Sequence, residues 1–420
     1  MGRKSEGVLG GEPQEKEWKS QVKGWESQVK GVKSQVKKLI SQIEAWNRQV
    51  IGSIITNKIA TPASSRYHPK FWMYIFKINI DIYNFKYIHY NESDNSVEVP
   101  FMKKEQVINE YREYKGSGRK PADYDVFWDK ALQELDEQSL DYELEKVDIP
   151  SKTADFYNLY FTGVKGAKIR CQYIRPKKIE GKVPGMLMFH GYHGDSGDFG
   201  DKLSWVTEGF AVLAMDCRGQ GGESEDNTTA KGTTLKGLII RGVEEGPESL
   251  YYRSVFLDTA HAARILMSME EVDEEAISVQ GASQGGALSL ACAALEPRVI
   301  KVVAQYPFLS DYRKVFELDI NASAYEELAY WFRFRDPMHD REEEFFDTLE
   351  YIDLQHLAPR IKAEVKWAIA LEDGVCPPVT QFAVYNQISS PKEMIFFPEY
   401  GHEYLPKLGD RVRGFLLDHE

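Results

Sequence analysis

A serine set between closely spaced glycines is the pattern in this chain that most directly suggests chemistry. Gly281-Ala-Ser283-Gln-Gly285 follows the apolar run Ala276–Gln280 and opens a helical run that starts at Ala287. In a strand–turn–helix of this kind, small residues two positions before and after the serine let the strand and the helix approach, and the sharp turn exposes the hydroxyl. We interpret Ser283 as a nucleophile, and a structural glycine-rich turn is the alternative.

A serine hydroxyl is a weak nucleophile and needs a neighbouring base. His402 lies just after the apolar run Met394–Pro398, which we predict to be the last strand. His261 falls inside a helical stretch and His419 at the end of the chain, so packing or surface roles explain both more simply. We therefore predict His402 as the base, against the alternative of an ordinary loop histidine.

The base must be oriented by a carboxylate, and Asp373 follows the apolar run Val365–Leu371. The three residues then occur in the order Ser283, Asp373, His402, which is one of the chain orders in which such triads are built. Glu372 is an adjacent rival for the same role, and a solvated turn carboxylate is a third interpretation. We predict Asp373 as the acid.

Acyl transfer also needs N–H donors for the oxyanion that forms on attack. The backbone N–H of Gln284, directly after the nucleophile, is one candidate, and a second donor should come from a loop after an early strand. The segment 190–194, His-Gly-Tyr-His-Gly, follows the run Gly185–His190 and fits that place, although a plain glycine turn is the alternative. His190 and His193 form an H-x-x-H pair without a third ligand nearby, so we do not expect a metal.

The elements that must position these residues follow from the apolar pattern. Residues 122–138 have helical spacing, and alternating stretches between residues 142 and 176 indicate antiparallel strands. The stretch between Asp311 and Leu354 predicts a helical insertion that caps the site. Six apolar runs, most of them followed by a helical stretch, predict an α/β protein whose mostly parallel sheet has helices on both faces. These runs are Gly185–His190, Ala211–Asp216, Ala276–Gln280, Val302–Tyr306, Val365–Leu371 and Met394–Pro398.

We interpret the first 101 residues as a separate N-terminal appendage. A seven-residue repeat runs through residues 15–50 with apolar residues on both core positions, which predicts a coiled-coil-like helix. Residues 53–101 are rich in Ile, Asn and aromatic side chains without a clear period, and they fit a hairpin or an interaction segment. The appendage carries 15 Lys+Arg and 10 Asp+Glu, a net charge of +5, whereas the remainder carries 37 and 55, a net charge of −18.

The appendage has a further interpretation. A coding sequence for Val97–Val99 can contain a purine-rich ribosome-binding site, with a short spacer before Met102. We hypothesise that Met102 is the native start and that residues 1–101 are upstream sequence read in frame. The catalytic domain is then predicted to span residues 102–420.

Composition narrows the class of protein. No apolar run is long enough to span a bilayer and the N-terminus has no hydrophobic leader, so a cytoplasmic location is the expectation. The overall net charge of −13 argues against nucleic acid as a partner. The cysteines lie far apart without a C-x-x-C pair, so we predict buried free thiols rather than disulfides or metal ligands; they are Cys171, Cys217, Cys292 and Cys376.

Five segments, in this order, resemble a single family: His190-Gly-Tyr-His-Gly, Asp216-Cys-Arg-Gly-Gln-Gly-Gly, Gly281-Ala-Ser-Gln-Gly, Asp373-Gly-Val-Cys-Pro-Pro and Gly401-His-Glu. They resemble the acetyl xylan esterase/cephalosporin-C deacetylase family, which is carbohydrate esterase family 7 of the α/β-hydrolase superfamily. The Arg-Gly-Gln and His-Glu pieces are its distinguishing marks. The resemblance runs from about Met102 to the C-terminus and covers nothing before it.

This resemblance implies the α/β-hydrolase fold, the triad Ser283, Asp373 and His402, and an oxyanion hole formed by the N–H groups of Tyr192 and Gln284. It implies a small pocket that takes acetyl groups from small esters such as acetylated xylo-oligosaccharides and cephalosporin C, through an acetyl-enzyme. No metal, cofactor or membrane partner is implied. A homo-oligomer, a hexamer built from three dimers, is implied, with residues 237–248 as an interface loop.

The sequence is also compatible with other functions. A general short-chain carboxylesterase, a lipase or a serine peptidase can use the same fold and the same triad. A catalytically inert scaffold tethered by the coiled coil is an alternative from a different class, although a complete triad argues against it. Glu372 stands where the family more often has an uncharged residue, so it can change the environment of the acid.

Overall fold

The computed structural model describes residues 89–91, 96–98, 104–231, 237–320 and 323–418. The chain divides into a unit of residues 1–80 and a unit of residues 81–420. The predicted heptad helix lies outside the described residues. Within the segment 53–101, two short strands are described, β1 (His89–Asn91) and β2 (Ser96–Glu98), and their backbones pair as an antiparallel hairpin.

A nine-stranded sheet forms the centre of the larger unit, in the order β11-β10-β9-β8-β6-β7-β5-β4-β3. One side of it is antiparallel, where β3 pairs with β4, β4 with β5, and β5 with β7. These strands are β3 (Tyr142–Val147), β4 (Ala154–Thr162) and β5 (Lys168–Pro176). They coincide with the alternating stretches of the sequence, so that prediction is confirmed.

The six remaining strands of this sheet run parallel to one another. They are β6 (Val183–Phe189), β7 (Ala211–Met215), β8 (Val272–Ala282), β9 (Val299–Gln305), β10 (Glu364–Ala370) and β11 (Lys392–Phe397). Each overlaps one of the six predicted apolar runs, which confirms a mostly parallel sheet. Their carboxyl ends share one edge, where the loops after parallel strands usually build the site.

Eleven α-helices lie in the described part of the chain. They are α1 (Lys104–Arg112), α2 (Tyr124–Asp136), α3 (Leu203–Thr207), α4 (Tyr251–Ser268), α5 (Gln284–Leu295), α6 (Tyr312–Glu317), α7 (Glu326–Arg335), α8 (Glu342–Leu349), α9 (Leu354–Leu357), α10 (Pro378–Tyr385) and α11 (Leu408–Leu417). Helices α6 to α8 form the helical insertion predicted between β9 and β10. None of these helices is both long and apolar enough to cross a membrane.

Alternate residues of the parallel strands enter two separate hydrophobic cores. In β6, Leu187 and Phe189 belong to the core that includes α4 and α5. Met186 and Met188 belong to, or pack against, the core that includes α3 and α11. Both faces of the sheet are therefore covered by helices, which is why these strands are apolar at consecutive positions rather than alternating.

A buried ion pair fixes the chain just after β7. Arg218 donates to both oxygens of Asp258 on α4, at 2.7 Å from Nε and from Nη2. The Arg218 side chain is 0% exposed and the Asp258 side chain 1%. Nη2 of Arg218 also donates to the carbonyl of Val164 at 3.1 Å. This pair sets the direction of the Arg-Gly-Gln loop, which continues into the site.

All four cysteines are free and buried, as predicted. Burial raises the pKa of each thiol, so all four are neutral at ordinary pH. Cys376 adjoins Asp373 and His402, and the Cys217 sulfur accepts a hydrogen bond from the Gln284 side chain at 3.7 Å.

Candidate active site

Ser283 occupies a strained turn between β8 and α5. Its backbone has φ 57° and ψ −120°, a conformation that side-chain-bearing residues rarely adopt. A Cβ on Gly281 would lie 2.3 Å from the backbone of Gly285, and a Cβ on Gly285 would lie 2.0 Å from the carbonyl oxygen of Phe189. The Ser283 N–H donates to the Gln305 carbonyl at 2.9 Å. The glycines therefore permit the strand and the helix to approach closely, and the hydrogen bond to Gln305 of β9 stabilises the turn.

Asp373 and His402 form a hydrogen-bonded pair across two loops. Nδ1 of His402 lies 2.8 Å from Oδ2 of Asp373. The second oxygen of Asp373 accepts the N–H groups of Val375 and Cys376, each at 2.8 Å. These donors keep the buried carboxylate in place. A carboxylate at this position places the proton of the imidazole on Nδ1 and leaves Nε2 free to accept one.

The neighbouring carboxylate has a different environment. The Glu372 side chain is 59% exposed and pairs with Lys104, whereas the Asp373 side chain is 0% exposed. Lys104 also pairs with Glu399, and the N–H of Glu372 donates to the carbonyl of Tyr400. The geometry therefore favours Asp373 over Glu372 as the partner of the imidazole. Glu372 instead helps to join the loop of the acid to the loop of the base.

Cys376 connects the nucleophile to the Asp–His pair. The Ser283 hydroxyl lies beside the Cys376 thiol and acts to lower the pKa that burial raises. The Cys376 sulfur, a carboxylate oxygen of Asp373 and a ring nitrogen of His402 all lie within 4.8 Å of one another. The ring of Tyr306, directly after the strand residue that binds Ser283, lies 4.6 Å from the His402 ring. The structure thus gathers the three predicted residues around one thiol.

The same group is where a metal ion could find ligands in the described residues. However, the imidazole is engaged with Asp373, and burial raises the pKa of the Cys376 thiol. A neutral thiol is a poor metal ligand. The hydrogen bond between Asp373 and His402 is therefore the better account of this cluster.

The loop after β6 presents one backbone N–H in a fixed direction. The carbonyl of Gly191 accepts hydrogen bonds from Nδ1 of His190 at 2.7 Å, the N–H of Gly194 at 3.0 Å and Nε2 of Gln284 at 3.4 Å. The peptide that joins Gly191 to Tyr192 is trans, so the Tyr192 N–H points away from these three donors. This arrangement suits an oxyanion donor.

His190 has a defined tautomer. Its Nε2 accepts the N–H of Cys217 at 2.9 Å, so its proton lies on Nδ1, which donates to Gly191. Burial lowers the pKa of the His190 imidazole, which keeps it neutral. Both ring nitrogens are thus engaged in hydrogen bonds. The ring of His190 therefore stabilises the loop, and we do not interpret the H-x-x-H pair as a metal site.

Two glutamines extend this network. The buried Gln284 side chain exchanges hydrogen bonds with Gln220 at 2.9 and 3.1 Å, and its Oε1 accepts the hydroxyl of Tyr252 at 2.7 Å. Gln220, from the Arg-Gly-Gln loop, accepts the N–H of His193 at 2.8 Å. Gln284 therefore offers its backbone N–H while its side chain holds the facing loop. The sequence pointed to the backbone N–H of Gln284 but not to the hydrogen bonds of its side chain, and it marked Gln220 only as part of the Arg-Gly-Gln motif.

Comparisons with known proteins identify the family of this chain. The family model of acetyl xylan esterases matches residues 102–419. An acetyl esterase, Axe7A, from Xylanibacter ruminicola is 30% identical over 297 residues, which are 68% of this chain and 64% of that protein. The chain thus aligns with somewhat less than two thirds of this curated relative.

Two solved structures are also similar. Acetyl xylan esterase 1 from Thermoanaerobacterium sp. JW/SL YS485 is 50% identical with a TM-score of 0.72, and the acetyl xylan esterase from Paenibacillus sp. R4 is 36% identical with a TM-score of 0.70. Each match covers 74% of this chain and 98% of the other. The predicted α/β-hydrolase fold is confirmed, and the chain belongs to the acetyl xylan esterase family.

Proposed function

We propose that this protein is a serine esterase that removes acetyl groups from small esters, with Ser283 as nucleophile, His402 as base and Asp373 as the acid that orients it. The observation that carries the proposal is the Asp373–His402 hydrogen bond beside the strained Ser283 turn. Family membership and the names of the relatives support the choice of an acetyl ester. No cofactor enters the proposed reaction.

In the proposed reaction, Nε2 of His402 takes the proton of Ser283 as the hydroxyl oxygen attacks the acetyl carbonyl. Asp373 holds the Nδ1–H tautomer and stabilises the imidazolium that forms. The N–H groups of Tyr192 and Gln284 bind the oxyanion. The ester C–O bond then breaks, and the imidazolium returns its proton to the leaving alcohol. Water, activated by the same imidazole, hydrolyses the acetyl-enzyme to acetate and free serine.

We expect hydrolysis of p-nitrophenyl esters to be confined to the shortest acyl chains. Acetate should give the highest kcat/KM, with a fall of more than about tenfold by butanoate, because a site shaped for acetyl has no room for added methylenes. The measurement is initial rates with the acetate to octanoate series. A preference for octanoate indicates a lipase or general esterase, and cleavage of peptide amides indicates a peptidase.

The ester series, together with a labelling experiment, distinguishes an enzyme from an inert scaffold. A serine-directed phosphonate should add its phosphonyl group to Ser283, which a mass spectrum of the intact protein and of its peptides will locate. Absence of both turnover and labelling would favour the scaffold hypothesis. Acetylated xylo-oligosaccharides and cephalosporin C, assayed for released acetate, then identify the alcohol part that the site accepts.

The assembly and the location of the protein are also proposals. By family resemblance we propose a hexamer, with residues 237–248 at an interface. Light scattering coupled to gel filtration should give about six times the chain mass of 48.1 kDa, and a monomer or dimer mass at micromolar concentration contradicts this. A cytoplasmic location stays a prediction.

A further inference from the structure

A carboxylate of the insertion is buried directly behind the oxyanion loop. Glu327 lies in the first turn of α7 and is 0% exposed. Its Oε1 accepts the hydroxyl of Tyr192, and its Oε2 accepts the N–H of Ile239 at 2.7 Å. The N–H groups of Gly237 and Ile240 lie near the same carboxyl group and act to lower its pKa. No sequence motif pointed to this residue.

All of these partners are neutral donors: one phenol and three backbone N–H groups. Burial raises the pKa of the Glu327 carboxyl to about 7, while the hydrogen bonds act to lower it. A carboxyl group in such a place is unfavourable unless its oxygens are well satisfied. Only the ionised form offers acceptors alone, and a hydrogen-bond donor reaches each of its two oxygens, the phenol at one and the N–H of Ile239 at the other. The site is thus built for a carboxylate rather than for a packing residue.

The residue that Glu327 holds is the proposed oxyanion donor. The peptide before the Tyr192 Cα is fixed through the Gly191 carbonyl, which accepts three donors. The side chain of Tyr192 is fixed at its hydroxyl by Glu327 and at its ring by Phe308, and the centroids of the two rings lie 5.7 Å apart. Phe308 donates its N–H to the carbonyl of Ser283 at 3.2 Å. Tyr192 is therefore anchored on both sides of its Cα.

We propose that Glu327 is a positioning residue for the esterase reaction: by holding the Tyr192 hydroxyl and the 237–240 turn, it keeps the Tyr192 N–H aimed at the oxyanion. The inference rests on the proposed function, because it takes the Tyr192 N–H as an oxyanion donor. It links the cap insertion to the chemistry, since α7 carries the anchor. A displacement of α7 therefore moves an oxyanion donor.

The variants Glu327→Gln, Tyr192→Phe and their combination test this. Glu327→Gln places an NH₂ group among donors, and Tyr192→Phe removes the hydroxyl but keeps the backbone N–H. We expect each to lower kcat for p-nitrophenyl acetate by about 10- to 100-fold, since a misaligned donor loses part of the stabilisation that its removal abolishes. KM should stay within about threefold, and the double variant should be no worse than either single variant because the two residues share one interaction.

Glu244→Gln is the matched control. Glu244 also anchors α7, by accepting a hydrogen bond from Nε1 of Trp331 at 3.1 Å, but it pairs with Trp331 and Arg341 rather than with Tyr192. It should keep the wild-type kcat. Thermal melting and near-ultraviolet circular dichroism establish that each variant is folded. If Glu327→Gln or Tyr192→Phe is folded and keeps the wild-type kcat, or if Glu244→Gln loses as much, the positioning role is wrong.

A second readout separates this inference from the esterase proposal. The rate at which a p-nitrophenyl phosphonate modifies Ser283 depends on the same oxyanion donors but on no particular acyl substrate. A wild-type protein that is labelled yet does not turn over acetate refutes the acetyl esterase proposal alone. Equal labelling rates in wild type and Glu327→Gln refute the positioning role alone.

Discussion

Replacing Ser283 with alanine is expected to lower kcat for p-nitrophenyl acetate by about 10⁴- to 10⁶-fold while KM stays within about threefold. The hydroxyl is the group that forms the acetyl-enzyme, whereas the oxyanion donors and the acyl site remain in the variant. Stopped-time assays at high enzyme concentration can measure the residual rate. This residual rate should exceed the rate of uncatalysed hydrolysis in water, because the donors of the oxyanion hole remain in the variant.

Ser289→Ala provides the matched control on the same helix. Ser289 is buried and donates its hydroxyl to the carbonyl of Gly285 at 2.8 Å, one turn earlier in α5. Its loss removes one hydrogen bond, at a cost of about 1 kcal/mol in the free energy of unfolding, and should leave kcat unchanged. Retention of activity in Ser283→Ala, with Ser289→Ala behaving as wild type, would show that another residue is the nucleophile.

The second large effect concerns stability rather than chemistry. Asp258→Asn should lower the free energy of unfolding by about 3–5 kcal/mol, because it leaves the guanidinium of Arg218 buried without a counter-charge. Both side chains are essentially inaccessible, so water cannot replace the lost partner. Urea unfolding followed by tryptophan fluorescence measures the change.

Two comparisons make that test specific. The double variant Arg218→Met/Asp258→Leu removes both charges together and should recover much of the loss, because a buried pair is often replaceable by apolar side chains. Lys182→Met breaks an exposed pair with Glu274, and it should leave the unfolding midpoint unchanged. An Asp258→Asn midpoint equal to that of Lys182→Met would mean that the buried pair does not carry this stability.

The sheet was predictable because the pattern of apolar residues in the sequence marks its strands. Buried parallel strands such as β6 and β10 are apolar at consecutive positions, and helices such as α2 keep their period beside them. The ends were less certain: the run Val365–Leu371 stops at Ala370, where Leu371 already leaves the ladder for the loop of Asp373. The positions of Ser283 and His402 also followed from their places after strands. Their local geometry required the structure.

Other parts of the site were invisible in the sequence for a physical reason. Glu327 acts through Tyr192, 135 residues earlier, and nothing in the spacing of a helical insertion marks one glutamate among several. Cys376 lies within the motif that begins at Asp373, but its nearness to Ser283 arises only when the loops after β8 and β10 meet. The sequence already favoured Asp373 over Glu372, and the structure adds the physical reason, which is that Asp373 is the carboxylate buried beside the imidazole.

The joining of helices α1 and α10 has a consequence for how the protein is made. Tyr111 of α1 packs on Phe382 of α10, with ring centroids 5.7 Å apart, and Asn386 donates to the Tyr111 carbonyl across 275 residues of sequence. A nascent chain therefore carries α1 out of the ribosome long before the surface that covers it has been translated. Such distant contacts are slow to form and leave apolar surface exposed meanwhile. We expect α1 to dock after release, so chaperones that bind nascent apolar segments should retain this chain until its last strands are complete.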